Sequence, residues 1–193
     1  MATPTDELLT LEATHILQVY RRLPIAFARG KGSYLYDIDG REYLDLVSGI
    51  GVASLGHAHA GLAAALADQA RTLVHTSNLY YHSLQGQVAS RLAKLSGLPR
   101  AFFCNSGAEA VEGCLKFARR YWHTRGETNR KGIVALERSF HGRTFGALSV
   151  TWDEHYRTPF APLVDGVTFV PPDDPAALMA AVSPTTAAII IEP

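Results

Sequence analysis

The chain has 193 residues, 47% hydrophobic and 19% charged, and its Lys+Arg and Asp+Glu totals are both 18. That is the profile of a globular protein able to bury a core of its own. Its bulk charge points to neither a nucleic-acid nor a membrane partner. Two cysteines, Cys104 and Cys114, make no disulfide framework, and no apolar run approaches membrane-spanning length. The N-terminus "MATPTDELLTLEATH" is acidic and lacks the basic-then-apolar pattern of a signal peptide, so a cytoplasmic location is expected.

The first predicted element is an acidic-capped helix over Asp6 to Tyr20, followed by an extended piece containing Pro24. "GSYLYDIDGREYLDLVSG" alternates apolar and polar residues around Asp39-Gly40, which predicts a hairpin whose two central residues both take positive φ. Leu62, Leu66, Ala70 and Leu73 share one helical face, as do Leu84, Val88, Leu92 and Leu95, with Gly97 at the C-terminal cap position of the second helix. "RAFFC" reads as a strand, leading into a helix that carries Val111, Leu115, Ala118 and Trp122. "KGIVAL", "GVTFVP" and "AAIII" are further strands, and Asp174-Pro175 opens a short helix between the last two. Continuous apolar strands alternating with helices predict an α/β fold with a mostly parallel sheet covered on both faces. "TTAAIIIEP" closes the chain as a buried strand without a return helix, so a fragment of a longer protein is expected.

Two stretches carry candidate chemistry. In "FFCNSGAEAVEGCLKFARR", Asn105-Ser106-Gly107-Ala108 stands between an apolar run and a good helix. The first N–H groups of a helix lack intrahelical partners, and the helix dipole favours negative charge there. Ser106 adds a hydroxyl, Gly107 permits close backbone approach and Ala108 adds little bulk, so the turn can cradle a phosphate. Plain capping by Asn105 or Ser106, reciprocated by Glu109, explains the same residues. In "ERSFHGRTFGALSVT", Phe140, His141, Gly142 and Arg143 fall in a loop after a strand. An aromatic ring there can stack on a flat ligand, and a guanidinium can grip a carboxylate through two hydrogen bonds; a core Phe and a surface Arg are the plain alternative. Together the stretches suit a phosphorylated aromatic cofactor meeting an amino acid, as pyridoxal 5'-phosphate does.

His57 and His59 in "GHAHAG" mimic a metal pair but have no third ligand at suitable spacing, and a loop role is expected for both. Glu109 and Glu112 suit the dipole of their own helix. The basic residues Lys116, Arg119, Arg120, Arg125, Arg130 and Lys131 read as a solvated helix face and loop.

"CNSGAEAVEGCLKFAR" with "SFHGRTFGALSVT", preceded by "GSYLYDIDGREYLDLVSGIGVASLGHAH" and "HTSNLYYHSLQGQVASRLAKLSG", closely resembles the class III, ornithine-type aminotransferases of fold type I. The resemblance runs from about Leu17 to Pro193. It implies that residues 1–56 belong to a small domain and 57–193 to the first part of a large cofactor domain. It also implies that Ser106, Gly107 and Ala108 hold the phosphate of pyridoxal 5'-phosphate, that Phe140 stacks on its ring and that Arg143 binds the substrate carboxylate. Tyr81 matches a position lining the substrate side. Ile50 stands where ornithine-specific members carry a Tyr, which favours the branch passing an amino group from N-acetylornithine to 2-oxoglutarate. Glu192-Pro193 matches the start of an E-P-x-x-G-E segment. The Schiff-base lysine of the family lies beyond residue 193, and Lys31, Lys94, Lys116 and Lys131 stand in the wrong motifs to replace it, so this stretch is expected to be inactive alone. A homodimer is implied for the intact protein. Other members of the family, acting on ornithine, 4-aminobutyrate or aminoacyl-lysine or shifting an amino group within one molecule, stay open as alternatives, as does a non-catalytic phosphate-binding module.

Overall fold

A computed structural model describes residues 3–193, in two compact units, Met1–His82 and Ser83–Pro193. In the first unit, helix α1 (Pro4–His15) starts at a capping box: Thr3 Oγ1 accepts the Asp6 N–H, and the Asp6 carboxylate accepts the Thr3 N–H. The helix stops five residues short of Tyr20, where the sequence had placed its end. The amide of Gln18 donates to the carbonyls of Glu12 and Ile16, closing the helix end with a side chain.

Strands β1 (Phe27–Lys31), β2 (Tyr34–Asp37) and β3 (Glu42–Leu44) form an antiparallel sheet. The hairpin around Asp39-Gly40 is present, but of its loop residues 38–41 only Gly40 has positive φ, at 84°. The loop is therefore longer than a two-residue primed turn. Asp37 supplies the reason: its carboxylate accepts the N–H groups of Asp39 and Arg41 and the Tyr43 hydroxyl. Burial opposes ionisation of Asp37, and these hydrogen bonds outweigh it, leaving its pKa below the ordinary value.

After β3 comes α2 (Ser48–Gly51), a turn in which all four residues have positive φ, at 53°, 60°, 60° and 81°. Ser48 and Ile50 occupy a region that side-chain-bearing L-residues avoid. Asp45 holds the turn by accepting the N–H groups of Val47 and Ser48, and it also pairs with His57 Nε2 at 2.7 Å. His57 is in turn fastened to Gly32 by two backbone hydrogen bonds, and His59 caps α3 (Ala60–Thr72) through Nδ1. Both histidines thus have the loop roles expected of them. Among the described residues no cluster of possible ligands could hold a metal ion.

In the second unit, α4 (Gln85–Ser96) ends at Gly97, whose φ of 73° makes it the left-handed cap its position suggested. Helix α5 (Gly107–His123) follows, then a parallel sheet in the order β5-β4-β6: β4 (Gly132–Leu136) lies between β5 (Val167–Val170) and β6 (Thr186–Ile190). The β4–β6 ladder carries an irregularity. Gly132 lies opposite Thr186 and Ile133 opposite Ala188, so Ala187 has no partner on β4, and its carbonyl instead accepts the Trp122 indole N–H.

Both faces of β4 are covered. Ile133 and Ala135 pack with Leu115 of α5 and Val150 of α6 (Phe145–Val150). After the short helix α7 (Glu154–Arg157) comes α8 (Pro175–Ala181), whose Ala177, Leu178 and Ala181 pack with Val134, Leu136 and Val170. Such two-sided burial is why β4 is a continuous apolar run rather than an alternating one. Asp174 Oδ1 caps α8 by accepting the Ala177 N–H, as the Asp-Pro pair predicts.

The expected strand over "RAFFC" does not form: Ala101–Cys104 joins no ladder among the described residues. Phe102 folds back instead onto α5, meeting Phe117 edge-on with ring centroids 5.2 Å apart and lying against Gly113. Two of the basic residues in and after α5, Arg119 and Arg130, are less solvated than expected. Arg119 donates to the carbonyls of Lys131 and Asp165. Arg130 donates to Thr186 O and lays its guanidinium over Trp122, 3.4 Å from the ring centroid.

Candidate functional site

Ser106 is the N-cap of α5, with its Oγ accepting the Glu109 N–H at 3.2 Å. The Glu109 carboxylate reaches back to the Asn105 N–H at 2.7 Å and to the Asn105 side chain. Reciprocal capping is therefore real, though it closes on Asn105 rather than on Ser106 itself. It uses only part of what the helix start offers. The N–H groups of Gly107 and Ala108 have no acceptor among the described residues, and the Ser106 hydroxyl keeps its proton to donate. A Cβ placed on Gly107 would meet no heavy atom within 4 Å. The helix start is thus an open set of donors facing free space, which fits an anionic oxygen cluster.

Its own upstream segment is not a strand; the turn is carried by α5, which packs on the sheet, and it meets the loop after β4. Gly142 makes the link. A Cβ there would lie 2.8 Å from Ala108 Cβ and 3.1 Å from Ala108 Cα, and the φ of 128° suits glycine alone. The two motifs, more than thirty positions apart, are pressed together at a contact only two small residues can make.

The loop itself is heavily fastened. Ser139 Oγ donates to Leu136 O at 2.6 Å, and the Trp152 N–H donates to Ser139 O at 3.0 Å. The His141 N–H donates to the buried Thr151 Oγ1 at 2.9 Å. The Phe140 N–H donates to the Glu192 carboxylate at 2.7 Å. Phe140 keeps a half-exposed ring, and the Arg143 guanidinium lies 4.4 Å from the Tyr156 ring centroid and 5.8 Å from that of Phe140. His141 is 8% exposed, and its Nε2 is buried with no partner among the described residues. Burial holds its pKa below the ordinary imidazole value, against a smaller opposing pull from the Glu192 charge.

Glu112 is a residue that sequence reasoning set aside. It serves not α5 but α6: its Oε1 accepts the Thr144 hydroxyl and the N–H groups of Gly146 and Ala147. A carboxylate from one helix so caps the helix that follows Arg143. The separation of more than thirty residues leaves no local pattern to read. The structure thus gathers Ser106, Gly107, Ala108, Phe140 and Arg143 in one corner of the second unit. Tyr81 belongs to the first unit and is fully exposed.

A parallel α/β core that sets anion-accepting donors beside a loop at the C-terminal end of a strand puts the chain among the fold type I pyridoxal-phosphate-dependent transferases. The ornithine aminotransferase of Toxoplasma gondii, in a crystal structure with partial occupancy of pyridoxal phosphate at its active site, superposes with a TM-score of 0.90 at 29% identity, over 97% of this chain and 45% of that one. The sequence profile of the aminotransferase class-III family matches residues 17–193, and the chain belongs to that family. Acetylornithine aminotransferase of Archaeoglobus fulgidus is 49% identical over 181 residues, covering 94% of this chain and 47% of the relative. That of Methanosarcina acetivorans is 46% identical over 189 residues, covering 97% and 46%. The chain spans about half the length of the curated relatives it matches.

Proposed function

We propose that the chain is the part of an acetylornithine aminotransferase that receives the cofactor phosphate, packs against the cofactor ring and binds the substrate carboxylate. The whole protein would pass an amino group from N-acetylornithine to 2-oxoglutarate, as a cytoplasmic homodimer serving arginine biosynthesis, without a nucleic-acid or membrane partner. The observation that carries this reading is the contact between Ala108 and Gly142, which joins the free donors of Gly107 and Ala108 to the loop bearing Phe140 and Arg143.

In this reading the N–H groups of Gly107 and Ala108 and the Ser106 hydroxyl hold the phosphate of pyridoxal 5'-phosphate. Phe140 covers one face of the ring and excludes water from it. Bound there, the cofactor supplies an electron sink for the carbon that bears the amino group. Arg143 grips the carboxylate of the amino acid in a planar fork, with Tyr156 steadying the guanidinium from behind. Tyr81 is assigned to the substrate side in the whole protein, and Ile50, in place of a Tyr, favours the acetylornithine branch. The high identity to acetylornithine aminotransferases supports that choice of donor over ornithine. The division into a small-domain segment at 1–56 and a cofactor domain from 57 belongs to the same proposal.

Arg143→Ala in the intact protein tests it. KM for the amino donor should rise at least tenfold, while the cofactor stays bound, because a hydrogen-bonded charge pair of this type contributes about 1.5–3 kcal/mol. Unchanged KM for every donor would remove the carboxylate role, and assays with N-acetylornithine, ornithine and 4-aminobutyrate would identify the substrate.

A further inference from the structure

The loop that carries Phe140 and Arg143 has several fastenings within its own neighbourhood. Ser139 binds Leu136 and Trp152, and His141 binds Thr151, all within a stretch of about fifteen residues. At the aromatic residue itself the fastening is distant: Glu192, which follows β6, reaches the Phe140 N–H across 52 positions of sequence. This acceptor is a carboxylate, so the bond belongs to the stronger, charge-assisted kind. It falls on the backbone of the one residue in the loop that offers an aromatic face beside the free helix start. The neighbouring imidazole adds no fastening of its own, since His141 Nε2 has no partner among the described residues.

We propose that Glu192 is a positioning residue: by fixing the Phe140 backbone to the end of β6, it sets the height of the Phe140 ring above the Ser106–Ala108 turn. Its ligand-directed consequence rests on the pyridoxal-phosphate reading above; the anchoring rests on the hydrogen bond alone. Glu192 acts through Phe140. Its removal should therefore weaken the grip on an aromatic ring and leave the grip on phosphate untouched.

The test compares Glu192→Ala, Glu192→Gln and the parent chain in three measurements: amide hydrogen exchange at Phe140, affinity for pyridoxal 5'-phosphate, and affinity for inorganic phosphate. Exchange at Phe140 should speed up about tenfold or more in Glu192→Ala, and affinity for pyridoxal phosphate should fall about tenfold, with phosphate affinity unchanged. Glu192→Gln keeps an acceptor oxygen and should remain within about threefold of the parent. If Glu192→Ala loses its fold by circular dichroism, Glu192→Asp carries the comparison, since it keeps the charge and shortens the reach. Unchanged exchange at Phe140 overturns the proposal. So does an equal loss for phosphate and pyridoxal phosphate, which would make Glu192 a general prop. A parent chain that binds no pyridoxal phosphate would sink the functional reading, while exchange at Phe140 would still decide the anchoring.

Discussion

Gly142→Ala is the sharpest single test of how the site is assembled. The added methyl would sit 2.8 Å from Ala108 Cβ and 3.0 Å from Ala147 Cβ, closer than carbon atoms pack. It would also hold an L-residue at a φ of 128°, which only glycine adopts without strain. Overpacking of this kind costs about 1–3 kcal/mol, and a glycine-only backbone conformation a similar amount, so a loss of about 3 kcal/mol is expected. Both tryptophans, Trp122 and Trp152, lie in the second unit, so urea denaturation followed by tryptophan fluorescence reports on that unit alone. Gly86→Ala is the control: a Cβ there meets nothing within 4 Å, and alanine suits a helix, so stability should hold or rise slightly. A Gly142→Ala chain within about 0.5 kcal/mol of the parent would show that the loop yields freely, and the rigid joining of the two motifs would have to be abandoned.

Two further outcomes follow from Glu112 and His141. Glu112→Ala removes the acceptor of three donors at the start of α6, and should lower stability by about 2–3 kcal/mol and speed exchange at Gly146 and Ala147; unaltered exchange would mean another group caps that helix. His141 has a folded-state pKa held below its ordinary value of 6.5 by burial, so the unfolded chain binds its proton first as pH falls. Its contribution is therefore intact above about pH 6.5 and is lost as pH drops through the lower folded value. Denaturation from pH 8 to 5 should show this slope in the parent and a shallower one in His141→Asn, and identical slopes would assign the effect elsewhere.

The parallel core was legible because its signals are local. β4 is an unbroken apolar run, α5 repeats Val111, Leu115, Ala118 and Trp122 on one face, and Asp174-Pro175 announces α8. Helix α6 was not legible, because Gly146–Val150 are all buried and no polar face gives the segment a helical period. "RAFFC" misled for the opposite reason: its composition suits a strand, but a strand also needs a neighbour with which to share hydrogen bonds. The turn at Asn105–Ala108 and the loop at Phe140–Arg143 could be picked out by residue type. What brings them together could not, because Ala108 against Gly142 and Glu192 against Phe140 are meetings between distant segments.

The unpaired Ala187 in β6 has a consequence at the far end of that strand. One extra residue reverses the parity of everything downstream. Thr186 is matched to Gly132, yet Ala188 and Ile190 share the face toward Leu115 and Val150 because the count has been offset by one. Continued two positions further, the same phase leads to Glu192. Deleting Ala187 would close the ladder without an offset: Thr186 would stay opposite Gly132, Ala188, Ile189 and Ile190 would keep their partners and faces, and Trp122 would lose its acceptor. Trp122, whose indole N–H donates to the carbonyl freed by the offset, thereby fastens α5 to the residue at which the strand changes phase on its way to Glu192.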